Sequence, residues 1–289
     1  MNSKYVLGAD IGGSHITAAI LNMEDRSFLE ASFSRKKVDP NGTSEEIINT
    51  WCEAINEAHE KVGLKPGKIG IAMPGPFDYE KGISYITGTT KYEALYKLNA
   101  KELLAKALGI ESDDILMKND AACFLAGEAF IGAAKGYDRV IGVTLGTGLG
   151  SSVFENGDAY DADFWCIPFL DSIAEEYIST RWFLKRYHEL TGLNILNVKE
   201  LTELYTASPI VQQIFDEFAG NLANFLHYFL QKVNAEAIII GGNIAKAEDK
   251  FLPALTDKLK TMGHNLPIHI SLLNENAAIA GAASCWQKR

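Results

Sequence analysis

Residues 5–22 read Y-V-L-G-A-D-I-G-G-S-H-I-T-A-A-I-L-N. Apolar, β-favouring residues on either side of a G-G-S break predict strand, tight glycine turn, strand. The first strand delivers Asp10 to its end. Gly12 and Gly13 then let the chain turn with bare N–H groups outward, which accepts phosphate oxygens because no Cβ blocks the approach. The adjacent carboxylate is placed to hold a hydrated Mg²⁺ that neutralises phosphate charge. Alone, the stretch is equally a hairpin with an Asp in it. Recurrence adds weight: residues 139–156 read R-V-I-G-V-T-L-G-T-G-L-G-S-S-V-F-E-N, and a shift of 134 places Gly12 on Gly146 and Ile20 on Phe154. Such a repeat predicts two lobes on one plan, each offering a glycine turn to a shared cleft. Chance recurrence of a common hairpin is the competing explanation.

Outward from these stretches, residues 27–36 read as a third strand of the first meander. Thr43 and Ser44 are candidate caps for a helix whose apolar stripe is Ile47, Ile48, Trp51, Ile55 and Ala58. A short strand is predicted over 68–73, ending at Pro74-Gly75-Pro76, then a helix over 98–108 closed by Gly109, a strand over 114–118 and a helix over 119–132. The second half is mainly helical: 171–190, 198–205, and a long core helix over 209–233 carrying Ile210, Val211, Ile214, Phe215, Phe218, Leu222, Phe225, Leu226 and Phe229. A buried strand over 237–241, a helix, a strand over 268–272 and a terminal helix from about 276 complete it. Strands alternating with helices, plus hairpin meanders, predict an α/β protein with mixed sheets.

Composition limits the partners. The 289 residues include 27 Lys and Arg against 37 Asp and Glu, a net charge of −10, with no basic stripe for nucleic acid or an anionic membrane. The longest run without a charged residue, 140–154, is too short to span a bilayer. Residues 1–8 carry no apolar leader core, so a cytoplasmic protein is expected. Cys52, Cys123, Cys166 and Cys285 are scattered, which predicts buried free thiols rather than disulfides or a cysteine-rich zinc site.

Four constellations carry candidate chemistry. Besides Asp10 to Ser14, there is Gly146-Thr147-Gly148, where the Thr147 hydroxyl can add a donor. Gly241-Gly242-Asn243 follows the strand Ile238-Ile239-Ile240, and its glycines would let a flat ring lie against backbone. Asn119-Asp120 stands between a strand and a helix. Asn and Asp are preferred helix N-caps; a carboxylate at a strand end is also a candidate base toward a hydroxyl nucleophile. The two roles are compatible, and with the phosphate turns present the base is favoured.

The chain resembles the ROK family of sugar kinases, within the actin-like, two-lobed ATPase superfamily of ribonuclease H-like fold. The resemblance runs over nearly the whole length. It is carried by G-A-D-I-G-G-S-H-I (8–16), G-I-A-M-P-G-P-F-D (70–78), K-N-D-A-A-C-F-L-A-G-E (118–128), V-T-L-G-T-G-L-G-S-S-V (143–153), I-I-I-G-G-N-I (238–244) and A-A-I-A-G-A-A (277–283). It implies a small lobe of 1–118 joined by the terminal helix 276–289, and a larger lobe of 119–275. It also implies ATP- and Mg²⁺-dependent, glucokinase-like phosphorylation of a hexose hydroxyl, the 6-OH, by a homodimer. Asp10 would hold Mg²⁺ through water. Gly12, Gly13, Ser14 and His15, with Gly146, Thr147 and Gly148, would meet the phosphates, and Gly241, Gly242 and Asn243 the adenosine. Gly75, Asn119 and Asp120 would bind the sugar, with Asp120 as catalytic base.

The chain departs from the family in one segment. After the second turn the family carries a G-H-x-x-E sugar motif, a G-H zinc ligand and a C-x-C-G-x-x-G-C cluster. Here 156–183 reads N-G-D-A-Y-D-A-D-F-W-C-I-P-F-L-D-S-I-A-E-E-Y-I-S-T-R-W-F, so no structural zinc is expected. Aligned on Pro168, Tyr160 stands for the sugar-binding His, Asp163 for the Glu and Cys166 for the zinc-ligand His. Both Tyr and Asp can bond sugar hydroxyls, although Asp158, Asp161 and Asp163 also read as a solvated loop. His15 stands where the family commonly has Lys. A degenerate relative that binds sugar without catalysis is the alternative. A family repressor would carry a DNA-binding module ahead of the first turn, and nine residues precede Asp10.

Overall fold

A computed structural model describes residues 4–88 and 91–287. In chain order the strands are β1 (Tyr5–Ile11), β2 (His15–Asn22), β3 (Ser27–Phe28), β4 (Ser34–Lys37), β5 (Ile69–Met73), β6 (Phe77–Asp78), β7 (Ile83–Ser84), β8 (Ile115–Asn119), β9 (Arg139–Leu145), β10 (Leu149–Glu155), β11 (Asp158–Asp161), β12 (Pro168–Phe169), β13 (Ser172–Ile173), β14 (Ala237–Gly241) and β15 (Ile268–Ile270). The helices are α1 (Ser44–Glu60), α2 (Ala100–Leu108), α3 (Asp120–Ile131), α4 (Thr180–Thr191), α5 (Val198–Leu204), α6 (Pro209–Lys232), α7 (Glu248–Thr261) and α8 (Ala277–Ser284). Among the described residues no helix is long and apolar enough to cross a membrane. The chain divides into two compact units, Met1–Lys135 with Glu275–Arg289, and Gly136–Asn274.

The first unit is a mixed sheet in the order β3-β2-β1-β5-β8, with β4 also on β2. β1 runs antiparallel to β2 and parallel to β5, which runs parallel to β8. One face buries Leu7, Ala9 and Ile11 against Trp51 and Ile55 of α1 and Leu104 of α2. Thr43 caps α1 in a capping box with Glu46, and the expected stripe is buried. The other face is covered by α8, which is made of small residues apart from Ile279 because backbone meets backbone there. A Cβ on Gly70 would stand 1.9 Å from the Ala282 carbonyl oxygen, and one on Gly281 would stand 1.8 Å from that of Cys123 on α3. α3 is therefore locked to α8, and the first unit extends to Lys135 instead of ending at residue 118 as the sequence suggested.

The second unit repeats the plan in the order β11-β10-β9-β14-β15, with β9 antiparallel to β10 and parallel to β14, itself parallel to β15. Here the cover is aromatic: Phe215, Phe218, Phe225 and Phe229 of α6 are fully buried with Phe183 of α4 and Phe251 of α7. Ile210 departs from the expected face and is 37% exposed, because it lies at the solvent-facing first turn of α6.

Three other expectations change. The third strand is split into β3 and β4, because Ser32 buries its hydroxyl to accept the Ile20 amide (2.8 Å) and donate to the Leu29 carbonyl (2.6 Å), replacing ladder bonds. The helix expected over 171–190 begins only at Thr180, whose amide and hydroxyl both donate to the Gly146 carbonyl, at 2.8 and 2.9 Å. Cys52 and Cys123 are buried thiols, whereas Cys166 is exposed and Cys285 half-buried.

Candidate active site

In the first unit, β1 ends one residue after Asp10, and Gly12, Gly13 and Ser14 form the turn into β2. The turn is braced from behind. The Gly12 amide donates to the His15 carbonyl at 2.9 Å, the Val38 amide to the Ser14 carbonyl at 2.8 Å, and the Tyr92 hydroxyl to the Gly12 carbonyl at 2.5 Å. His15 Nδ1 lies 2.9 Å from Ser14 Oγ. Asp10 pairs across the sheet with Thr17, which pairs with Arg35; on its other side Asp10 neighbours Ala72, which neighbours Lys118. One row of the sheet thus carries a carboxylate between two cations.

Asp120 follows β8 as the first residue of α3. Asn119 is the N-cap: its Oδ1 accepts the Ala122 amide at 3.0 Å, while Asp120 Oδ1 accepts the Ala121 amide at 2.9 Å. Asn119 is thus the N-cap, and the Asp120 carboxylate takes the amide of the residue that follows it. Asn119 Nδ2 also donates to the Tyr79 hydroxyl at 3.4 Å, which itself donates to the Met73 carbonyl at 3.0 Å. A Cβ on Gly75 would lie 3.3 Å from that hydroxyl. Gly75, Tyr79, Asn119 and Asp120 therefore form one polar corner of the first unit.

The carboxyls here are perturbed. Burial pushes Asp10 up to about 7, helped by the negative charge of Asp120 and opposed by Arg35. Asp120 as a residue is exposed. Its carboxyl nevertheless sits deep enough among protein atoms that burial raises it, against the Ala121 amide that favours the anion. Two raised carboxyls beside a turn of amides suit a site that takes up a divalent cation or a proton. The donor set fits Mg²⁺ held through water, an oxygen-seeking ion that keeps several waters and takes one or two carboxylates.

In the second unit, β9 ends at Leu145 and Gly146, Thr147 and Gly148 turn into β10, with the Gly146 amide donating to the Gly148 carbonyl at 3.0 Å. This turn already faces an anion: Glu175 accepts the Leu149 amide at 3.0 Å, and a Cβ on Gly148 would stand 2.5 Å from the same carboxylate oxygen. Arg181 holds Glu175 at 2.7 Å. Gly241 ends β14 beside Thr144, and Gly242 has φ +87°. A Cβ on Gly242 would strike the Leu145 carbonyl oxygen at 2.3 Å, so this glycine is required by close approach to the end of β9. Asn243 is exposed, its Oδ1 accepting from Lys246 at 2.8 Å.

The altered segment divides. The Ala162 amide donates to the Ser151 carbonyl and the Phe164 amide to Ser151 Oγ, each at 2.9 Å, so Asp163 lies near the turn end of β10. Its carboxylate accepts from Trp165 Nε1 at 2.7 Å. Tyr160 is not brought there: its hydroxyl donates to Glu155 at 2.9 Å, and Glu155 pairs with Arg139 at the opposite end of the sheet. Cys166 donates weakly to the Asp163 carbonyl at 3.6 Å. Among the described residues, no group of three or more His, Cys, Asp or Glu is placed to hold a metal ion.

Sequence reasoning missed three contributors. Tyr79 and Tyr92 reach the corner and the first turn from loops. Glu175 reaches the second turn from a segment whose apolar spacing imitated a helix.

Residues 6–163 match the ROK family. The glucokinase of Thermotoga maritima is 26% identical, the alignment covering 100% of this chain and 99% of that protein. An N-acetyl-D-glucosamine kinase of Haemophilus influenzae is 25% identical over 96% of this chain and 98% of its own length. Among solved structures, a ROK family glucokinase from Streptomyces griseus in complex with glucose and AMPPNP superposes with a TM-score of 0.77 at 22% identity, covering 99% of this chain and 100% of that one.

Proposed function

The chain belongs to the ROK family, and on that premise we propose that it is an ATP-dependent sugar kinase acting on a hydroxyl, the 6-OH, of a hexose or hexose derivative. The observation that carries this is the pairing in the first unit of a braced glycine turn with two raised carboxyls, one of them at the head of α3 beside Asn119. The names of the relatives support the sugar and the nucleotide.

Each residue then has a task. Gly12, Gly13, Ser14 and His15, with Gly146, Thr147 and Gly148, receive phosphate oxygens; Gly241, Gly242 and Asn243 receive the adenosine. Asn119, Gly75 and Asp163 orient the sugar. The Asp120 carboxylate takes the proton of the attacking hydroxyl as the new P–O bond forms and the bond to the β-phosphate oxygen breaks, releasing ADP. A raised carboxyl is the stronger base for that proton. Mg²⁺ bound at Asp10 would supply charge neutralisation on the phosphates. Positioning and electrostatics do most of the work, since little covalent chemistry falls to the protein.

The test is Asp120→Ala. It is expected to lower sugar-dependent ADP release by about 10²–10⁴-fold while nucleotide binding stays near wild type. Normal turnover in the variant would remove Asp120 from the mechanism. The displaced Tyr160 favours a second reading, sugar binding without catalysis. That reading prevails if the wild type releases no sugar-dependent ADP with any of a panel of hexoses, N-acetylhexosamines and ketohexoses.

A further inference from the structure

A triphosphate approaching the first turn meets two carboxyls, Asp10 and Asp120, on a chain of net charge −10, so a cationic side chain beside the turn would aid binding there. The position after the turn carries a histidine, His15, in place of a lysine. Its Nδ1 lies 2.9 Å from Ser14 Oγ, while Arg35 and Lys118 stand in the sheet row of Asp10. The fold brings another from far along the chain. A Cβ placed on Gly13 would stand 2.5 Å from Lys91 Nζ and 2.8 Å from its Cε. The ammonium therefore lies against the face of the turn that the missing side chain leaves open.

Its position is built in by its neighbour. Tyr92 is 1% exposed, stacks edge-on against Trp51 at 5.5 Å, donates its hydroxyl to the Gly12 carbonyl at 2.5 Å and its amide to the Pro40 carbonyl at 2.7 Å. Tyr92 is thus bolted to the turn, and the backbone of the residue before it is held beside that turn. We propose that Lys91 is the phosphate-binding cation of the first glycine turn, contacting the terminal phosphates of the donor nucleotide. The proposal rests on the kinase reading above. A compact ammonium with three donors suits phosphate oxygens as a point charge.

The test is calorimetric titration of the full chain, as wild type, Lys91→Met, Lys91→Arg and Gly13→Ala, with MgATP, adenosine and inorganic tripolyphosphate. Circular dichroism melts confirm that each variant is folded. Lys91→Met is expected to weaken MgATP and tripolyphosphate about tenfold and leave adenosine unchanged. Lys91→Arg should recover most of the loss. Gly13→Ala should imitate Lys91→Met, because its methyl group displaces the ammonium. A folded Lys91→Met that binds MgATP as tightly as wild type overturns the proposal and leaves the kinase reading standing. Wild type that binds tripolyphosphate in a Lys91-dependent manner, but not MgATP, overturns the kinase reading and supports the cation. Wild type that binds neither overturns both.

Discussion

The two glycine turns stand on matching strands. β1 and β9 are seven residues each, offset by 134, and they share one burial pattern, half-buried at the first and sixth positions and buried at the rest. Each runs antiparallel to the strand after its three-residue turn and parallel to a later, buried one. What differs is what the rest of the chain lays over each turn. The first has an ammonium on its glycine face and a half-buried Asp10, its carboxyl pushed up, at its side; the second has the Glu175 carboxylate in the same relation to Gly148. A common strand plan thus fixes where amides point, and inserted segments decide the sign of the charge beside them.

The sheets' covers differ as sharply, and here the largest effects are expected. The second unit relies on a cluster of phenylalanines, with Phe218 fully buried against Phe183 at 4.6 Å and Phe251 at 5.3 Å. Phe218→Ala should cost about 3–5 kcal/mol through lost burial and the cavity left behind. The first unit relies on the absence of side chains, so Gly281→Val should cost about 3 kcal/mol or more by forcing α8 from α3. Chemical denaturation read unit by unit, through hydrogen exchange, separates the two. Each variant should loosen its own unit first, and a uniform loss of protection in both would remove the contrast.

Next in size is a pH effect confined to the first turn. Asp10 has its carboxyl pushed up to about 7, mainly by burial and secondarily by Asp120, against about 3.9 for an unperturbed Asp. Between about pH 4 and pH 7 the folded state holds a proton that the unfolded chain releases. The stability associated with that proton is therefore present below pH 4 and lost as pH rises through 7. Asp10→Asn is neutral throughout, so its advantage over wild type should grow across this window and level off above it. Discounted for partial solvent contact, about 1–2 kcal/mol is expected at pH 8. Melting temperatures at pH 4, 6 and 8 measure it, and a difference independent of pH would contradict the assignment. The second turn has no such carboxyl on its strand: the equivalent position is Thr144.

These contrasts also mark what could be read from the chain. Both strand–turn–strand units were legible because strand, break and strand are local signals, and the offset of 134 survives in the folded register. The caps at Thr43 and Asn119 were legible for the same reason. Lys91 was not, because nothing local announces that Tyr92, eighty residues beyond Gly12, will bond its carbonyl. Glu175 was hidden by apolar spacing over 171–190 that imitates a helix, whereas the helix start is set by Thr180 bonding to Gly146. Tyr160 was misplaced because motif alignment gives a residue's position and not its direction. On the edge strand β11, its hydroxyl takes the nearest strong acceptor, Glu155.

The smallest effect is the one that tests whether the two turns are equivalent toward anions. Glu175 holds the Leu149 amide, a group that a phosphate oxygen would otherwise approach, and its charge opposes a second anion nearby. Arg181 offsets part of that charge at 2.7 Å while remaining partly in solvent. Glu175→Gln keeps an acceptor for the amide and removes the charge. If the second turn also receives phosphate, MgATP should then bind roughly twofold to fivefold more tightly, with adenosine unaffected. The gain should shrink at high salt, since charge alone produces it. An unchanged MgATP affinity at low salt would mean that the second turn serves its own carboxylate only and receives no phosphate.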